Sequence, residues 1–147
     1  MLRGNYTARV DEKGRLKVPT EFRAVLDLNF PGGQFYITSL DGQCARIYPM
    51  SEWKKIEEKL AALPSMNPVR EKLLRRSNYY GQVVDMDGQG RVLMPAVLRE
   101  AAEMKGSVAV MGYLRYLEVW NQERLVADMQ AKPFTDEDQQ ALSDLGI

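Results

Sequence analysis

Two stretches of the chain repeat one another: Asp11-Glu12-Lys13-Gly14-Arg15-Leu16-Lys17-Val18-Pro19 and Asp87-Gly88-Gln89-Gly90-Arg91-Val92-Leu93-Met94-Pro95. They lie 76 positions apart without a gap, and extension to Phe22-Arg23 and Leu98-Arg99 gives five identities in thirteen places. Three further pairs stay apolar, Leu16/Val92, Val18/Met94 and Phe22/Leu98. A small duplicated unit cannot as a rule bury its apolar face alone and packs against its twin. The chain is therefore read as two matched halves.

Within the first half, Tyr6 to Val10 and Leu16 to Val18 are short strands either side of Asp11-Glu12-Lys13-Gly14, a β-hairpin in which Gly14 supplies a positive φ. Alternation along the second strand sends Leu16 and Val18 to one face and Arg15 and Lys17 to the other. Pro19 ends that strand and precedes a short helix through Phe22, Val25 and Leu26. A second hairpin follows, Gln34 to Thr38 and Ala45 to Tyr48 around Asp41-Gly42. The second half keeps this order: Gln82 to Met86, Arg91 to Met94, a helix from about Ala96 to Met104, then strands near Val108 to Met111 and Tyr116 to Trp120, punctuated by Gly106 and Gly112.

Between the halves, Ser51 is placed to cap a helix with Trp53, Ile56, Leu60 and Leu63 on one stripe, stopped by Pro64. A second helix starts at Asn67-Pro68 with Val69, Leu73 and Leu74 inward. From Lys54 to Arg76, seven basic residues stand against three acidic ones, read as a solvated face. A further helix, Gln122 to about Ala131, is matched by the repeat with the first of these. Past Lys132-Pro133 the tail is acidic; Thr135 is placed to cap a short helix carrying Ala141, Leu142 and Leu145, with disorder as the alternative.

Composition removes several function classes. No apolar run approaches the roughly 20 residues that span a bilayer, and the N-terminus has no signal-like apolar stretch, so a cytoplasmic protein with no membrane partner is expected. Histidine is absent and Cys44 is the sole cysteine, which rules out an intramolecular disulfide and makes a metal site improbable. The missing histidine also removes Ser-His and Cys-His nucleophile pairs. No catalytic residues, metal, cofactor or small-molecule substrate are expected; an enzyme working through Lys, Asp or Cys44 would need a deep polar pocket holding a strongly shifted group.

Formal net charge is zero, unlike a strongly basic nucleic-acid binder, but the charge is segregated. Residues 1 to 23 hold six basic and three acidic side chains, whereas residues 123 to 147 hold two and six. In the repeat, Asp11 and Asp87 suit the bracing of a turn through backbone hydrogen bonds. An exposed salt bridge contributes only about 0–1 kcal/mol, while a planar guanidinium at a hairpin tip suits phosphate or guanine. Arg15 and Arg91 are therefore candidate ligand contacts. Arg23 and Arg99 are read as anchors for a carboxylate or carbonyl, and Arg9, with Asp85 as its repeat counterpart, is set aside. Phe35, Ile37, Ile47, Tyr48, Trp53, Trp120 and Leu125 are read as core or subunit-interface residues.

The wider pattern is Arg3-Gly4-Asn5-Tyr6, Asp11-x-x-Gly14-Arg15-Leu16-x-Val18-Pro19-x-x-Phe22-Arg23, Leu40-Asp41-Gly42, Ile47-Tyr48-Pro49-x-x-x-Trp53 and Asp87-x-x-Gly90-Arg91-x-x-x-Pro95-x-x-Leu98-Arg99. Over about residues 1 to 130 it closely resembles the bacterial MraZ family. The resemblance implies an α+β, mainly β fold: a duplicated AbrB-like (SpoVT-AbrB) swapped-hairpin β-barrel with a pseudo-two-fold and short peripheral helices. It implies units at 5–52 and 81–124, a helical linker at 53–79 and an acidic tail at 132–147.

The same resemblance implies a nucleoid-associated transcriptional regulator, mainly a repressor of its own division and cell-wall gene cluster promoter. Such a protein binds promoter DNA at short G-rich direct repeats as a ring-shaped homo-oligomer. The expected DNA-contacting residues are Arg15, Arg91, Lys13, Lys17 and Arg3, with Asp11, Gly14, Asp87 and Gly90 bracing the turns. Since Lys13 and Lys17 become Gln89 and Leu93 in the second copy, the first is expected to dominate phosphate contact. The alternative is an AbrB-type antitoxin or protein-interaction module acting through residues 134 to 147.

Overall fold

The computed structural model describes every residue from Met1 to Ile147. Its elements are β1 (Asn5–Val10), β2 (Arg15–Lys17), α1 (Thr20–Asn29), β3 (Gln34–Thr38), β4 (Ala45–Pro49), α2 (Met50–Ala61), α3 (Pro68–Tyr79), β5 (Gln82–Asp85), β6 (Arg91–Leu93), α4 (Ala96–Ala101), β7 (Gly106–Tyr113), β8 (Tyr116–Asn121), α5 (Gln122–Ala131) and α6 (Asp136–Asp144). The strands form one eight-stranded antiparallel sheet in the order β5-β3-β4-β8-β7-β1-β2-β6. Its edges nearly meet, because β5 runs straight into the turn before β6 and the Asp87 amide donates to the Arg91 carbonyl at 2.9 Å. The result is a nearly closed barrel with six short helices, mainly β.

Strand pairing exchanges the halves. β1 pairs with β7, β5 with β3, β4 with β8 and β2 with β6. Each hairpin's second strand thus completes its ladder on the other hairpin, and two further bonds are reciprocal: the Val18 amide donates to Gly90 and the Met94 amide to Gly14, both at 2.9 Å. This is the swapped-hairpin, pseudo-two-fold barrel that the resemblance implied. The exchange has a cause in the repeat: Leu16/Val92, Val18/Met94 and Phe22/Leu98 are all at most 2% exposed and belong to one core of 20 residues. Neither half could cover its three alone.

Local outcomes differ from the sequence reading at several places. Helix α2 begins at Met50, one residue before Ser51, with Pro49 at the cap position and no side-chain cap, since the fixed φ of Pro49 already sets the helix entry. Leu63 falls past the end of α2 and is exposed. Val69, expected inward on α3, is 70% exposed; only Ser77 of that helix is buried, where its carbonyl accepts from Tyr36 and Thr38 hydroxyls. Helix α4 stops at Ala101 because Glu103 takes φ 51°, and the Met104 amide then closes on Arg99. Gly112 does not end a strand; it sits inside β7, where a Cβ would strike the backbone of Leu2 and Arg3, and the turn comes at Leu114, with φ 63°. Thr135 caps α6 in a reciprocal box with Asp138. The seven residues read as core or interface are all buried within the single chain.

Candidate nucleic-acid interface

The two hairpin turns are the same structure built twice. One carboxylate oxygen of Asp11 accepts from the amides of Lys13 and Arg15, both at 2.9 Å, and its other oxygen accepts from Arg15 Nε at 3.0 Å. In the twin, Asp87 accepts from the amides of Gln89 and Arg91 and from Arg91 Nε, each at 2.9 Å. Gly14 and Gly90, at φ 85° and 77°, return the chain into the next strand, and each donates its amide to the aspartate carbonyl. Other residues meet a steric penalty at such φ values.

These bonds hold both aspartates below the ordinary value of 3.8. The amide of Arg15, or of Arg91 in the twin, is the largest cause; it outweighs desolvation, and the guanidinium adds to it. Each arginine commits only Nε to its aspartate and makes no other side-chain hydrogen bond within the protein. Both side chains are partly exposed, at 33% and 27%. The carboxylate therefore fixes the plane of each guanidinium while its two terminal amino groups stay unsatisfied, a geometry matched to a bidentate acceptor.

Register then puts the pieces on one surface. Along the β2–β6 ladder, Arg15 faces Leu93 and Lys17 faces Arg91, with Leu16 and Val92 between them pointing into the core. The β1–β2 register, Val10 opposite Leu16, sets Arg9 abreast of Lys17. Arg9, Lys17 and Arg91 thus form a row across three adjacent strands. A groove of about 760 Å³ runs beside it, lined by Arg9, Arg15, Lys17, Arg91, Arg99 and Lys105 against only two acids, Asp11 and Glu12.

Of the expected contacts, Arg15, Arg91 and Lys17 come together here. Lys13 lies exposed in the turn but does not line the groove. Arg3 is separated from it, beyond the far end of β1, whose six residues at roughly 3.3 Å each span about 20 Å. There it lies beside the β7–β8 hairpin, where Leu2 bridges Leu114.

Sequence reasoning missed Arg9 and Lys105. Strand alternation alone puts Arg9 on the face of Lys17 once the hairpin is in register, so the signal was present and was overridden by the lack of a repeat counterpart. Lys105 had no local signal, because only the β1–β7 pairing brings its loop to the first hairpin.

Arg23 and Arg99 cross between the halves. Arg23 donates to the Gly88 carbonyl at 3.3 Å and lies over Gly90; Arg99 Nε donates to the Met94 carbonyl at 3.1 Å and lies over Gly14. A Cβ on Gly14 would collide with the Arg99 guanidinium. Each turn is thus roofed by the other half's arginine. Away from this surface, burial pushes the Cys44 thiol up to about 12, far from a reactive thiolate.

Comparison with known proteins adds the family. The family model described as "MraZ protein, putative antitoxin-like" matches residues 1–76 and 81–145. A transcriptional regulator MraZ from Koribacter versatilis is 60% identical over 147 residues, covering 100% of both chains. One from Acidobacterium capsulatum is 54% identical, again with 100% of both chains covered. One from Escherichia coli (strain SMS-3-5) is 36% identical over 145 residues, 99% of this chain and 94% of its own. The break in the family match, residues 77–80, falls at the end of α3, between the two halves.

Proposed function

The chain belongs to the MraZ family, and we propose that it is a transcription regulator that binds promoter DNA through the β2–β6 ribbon. One observation carries this reading: two identical aspartate-braced turns present Arg15 and Arg91 on the same exposed two-stranded face, abreast of Lys17. A two-stranded ribbon fits the major groove of DNA, about 12 Å wide, and arginine binds the O6 and N7 of guanine through two parallel hydrogen bonds. Two such arginines select G-rich boxes. Lys17 within the groove and Lys13 at the tip supply phosphate contacts, which fix position without reading sequence.

The ribbon of one protomer makes few base contacts. Assembly into a ring-shaped homo-oligomer on short direct repeats raises the effective concentration of each further ribbon, so weak single contacts add to tight binding. In this reading the target is the chain's own division and cell-wall promoter, which it represses, in the nucleoid. The half-units are 5–52 and 81–124, joined by 53–79, with the tail 132–147 outside the DNA-binding body. No step of the function involves catalysis.

A footprint of the purified protein on DNA upstream of its own gene tests the proposal. Discrete protection over repeated G-rich boxes is the expected result. Absence of protection, or uniform coating without preference, would count against it. A second reading is favoured by α6, which is acidic and exposed along its length apart from half-buried Leu142. A partner protein docked there would be lost on deletion of residues 134–147 while DNA binding persists.

A further inference from the structure

Away from the arginine face, the pseudo-two-fold relates two joints in which the hairpin of one half reaches over the helix of the other. Tyr36 pairs with Tyr48 and Ala109 with Trp120, and Pro49 and Asn121 stand at the caps of the helices that follow. Tyr48 therefore corresponds to Trp120, Glu52 to Arg124 and Lys55 to Ala127. Counted back along the same strands, Tyr116 corresponds to Cys44 and Arg115 to Gln43. The joint on α2 is closed: Arg115 and Lys55 both bond the Glu52 carboxylate, and the Tyr116 ring stacks on Tyr48 with centroids 4.5 Å apart.

The joint on α5 is open, because each of those filling side chains is shorter there: Tyr116 gives way to Cys44, Arg115 to Gln43 and Lys55 to Ala127. A cavity of about 490 Å³ lies between the Asp41–Gln43 turn and α5, with Trp120, Ala101 and Ala127 along it. Small-molecule sites run from about 300 to 1,000 Å³. The Trp120 indole is held in place, its Nε1 donating to the Glu118 carboxylate at 2.7 Å. Two carboxylates line the cavity. Asp41 has no cation within salt-bridge distance, and Asp128 meets only the exposed Lys132. Arg124, the one cation in the lining, is drawn aside, its terminal nitrogens going to the Ala101 carbonyl at 2.9 Å and to Glu103 at 3.4 Å. The field is anionic at the neighbouring Cys44 as well: beyond burial, Glu118, Asp41 and Asp128 push its thiol up and Arg46 alone opposes them.

We propose that the open joint is a binding site for a small aromatic cation, a planar ring carrying an ammonium or amidinium group. The closed joint displays the chemistry that fills such a space: a ring stacked on an aromatic side chain, and cationic groups against a carboxylate. In the open joint the ligand's ring lies against Trp120 and its cationic group is received by Asp41 and Asp128. Charge-assisted hydrogen bonds of this kind are about twice as strong as neutral ones, and a cation beside an indole gains further from the ring's negative face. Asp41 belongs to the first half and Trp120 and Asp128 to the second, so the ligand ties the halves together at a joint that the chain itself leaves without an ion pair.

Titration of the full chain, labelled with nitrogen-15, with three molecules that share one ring tests this: tryptamine, neutral tryptophol and anionic indole-3-acetate. The chain has two indole N–H signals, from Trp53, enclosed in the closed joint, and from Trp120. Tryptamine should move the Trp120 signal to saturation and leave that of Trp53 in place. It should bind about tenfold more tightly than tryptophol, the worth of one charged hydrogen bond, and indole-3-acetate should bind more weakly than either. Asp41→Asn/Asp128→Asn should level tryptamine with tryptophol. Ala127→Leu, at an exposed position of α5, fills the cavity and should abolish the binding of both, with the two indole signals of the folded chain retained. Equal affinity for the three molecules, a Trp53 shift as large as that of Trp120, no saturable shift at all, or undiminished binding in Ala127→Leu would each overturn the proposal. Each of these results is read without DNA and leaves the DNA reading untouched.

Discussion

At the scale of single residues, the two carboxylates of the repeat each perform two tasks: one oxygen closes the turn and the other aims an arginine. Their folded-state pKa lies below the unfolded one, so their contribution is fully present above the ordinary aspartate value and is lost as pH falls through the lowered one. With no histidine in the chain, DNA affinity should stay flat from about pH 5 to 8 and fall only under acid conditions near or below 3.8, as followed by fluorescence anisotropy. A midpoint near neutrality would contradict this. The glycines divide as sharply. Gly14→Ala places a side chain at φ 85° and against Arg99, and should destabilise the fold by about 1–2 kcal/mol. Gly88→Ala meets nothing within 4 Å and should be near neutral. Urea unfolding of the two variants measures the contrast.

At the scale of elements, the pairing of β2 with β6 makes the hairpins mutually dependent. Leu16→Ala, in a fully buried position on that ladder, should cost about 2–5 kcal/mol by thermal or urea denaturation. Residues 1–80 alone lack the partners of β1 and β3 and should fold only as a concentration-dependent dimer; sedimentation showing a folded monomer would contradict the exchange. Much of this level could be read in the chain itself. The hairpins stood out because Gly14, Gly42 and Gly90 take positive φ next to alternating strands, and α3 because Asn67 and Pro68 form its start. Which strand pairs with which was not readable from periodicity, since alternation marks a buried face without naming its neighbour; the pairing came from the family resemblance. Val69 misled because helical spacing predicts an apolar stripe even where no second surface covers it. Lys105 stayed invisible for the complementary reason, its place in the groove being set wholly by a distant strand.

At the scale of the whole molecule, zero net charge conceals an uneven surface: six of the twenty basic side chains line one groove, and four of the twenty acidic ones sit on α6. In the proposed reading DNA binding depends on that one groove, because a chain of zero net charge has no general attraction for phosphate. With Lys13 and Lys17 as phosphate contacts, a rise from roughly 50 to 200 mM salt should lower the affinity of one protomer by about 10-fold. The account turns on Arg15 and Arg91 as the readers of sequence, and gel shifts with the promoter repeats and a scrambled control measure that claim most directly. The unaltered chain should prefer the repeats, each arginine replaced by alanine should cost about 1–3 kcal/mol, and Arg15→Ala/Arg91→Ala should bind both DNAs alike. Unchanged preference in that double variant, with its fold intact by circular dichroism, would contradict the account.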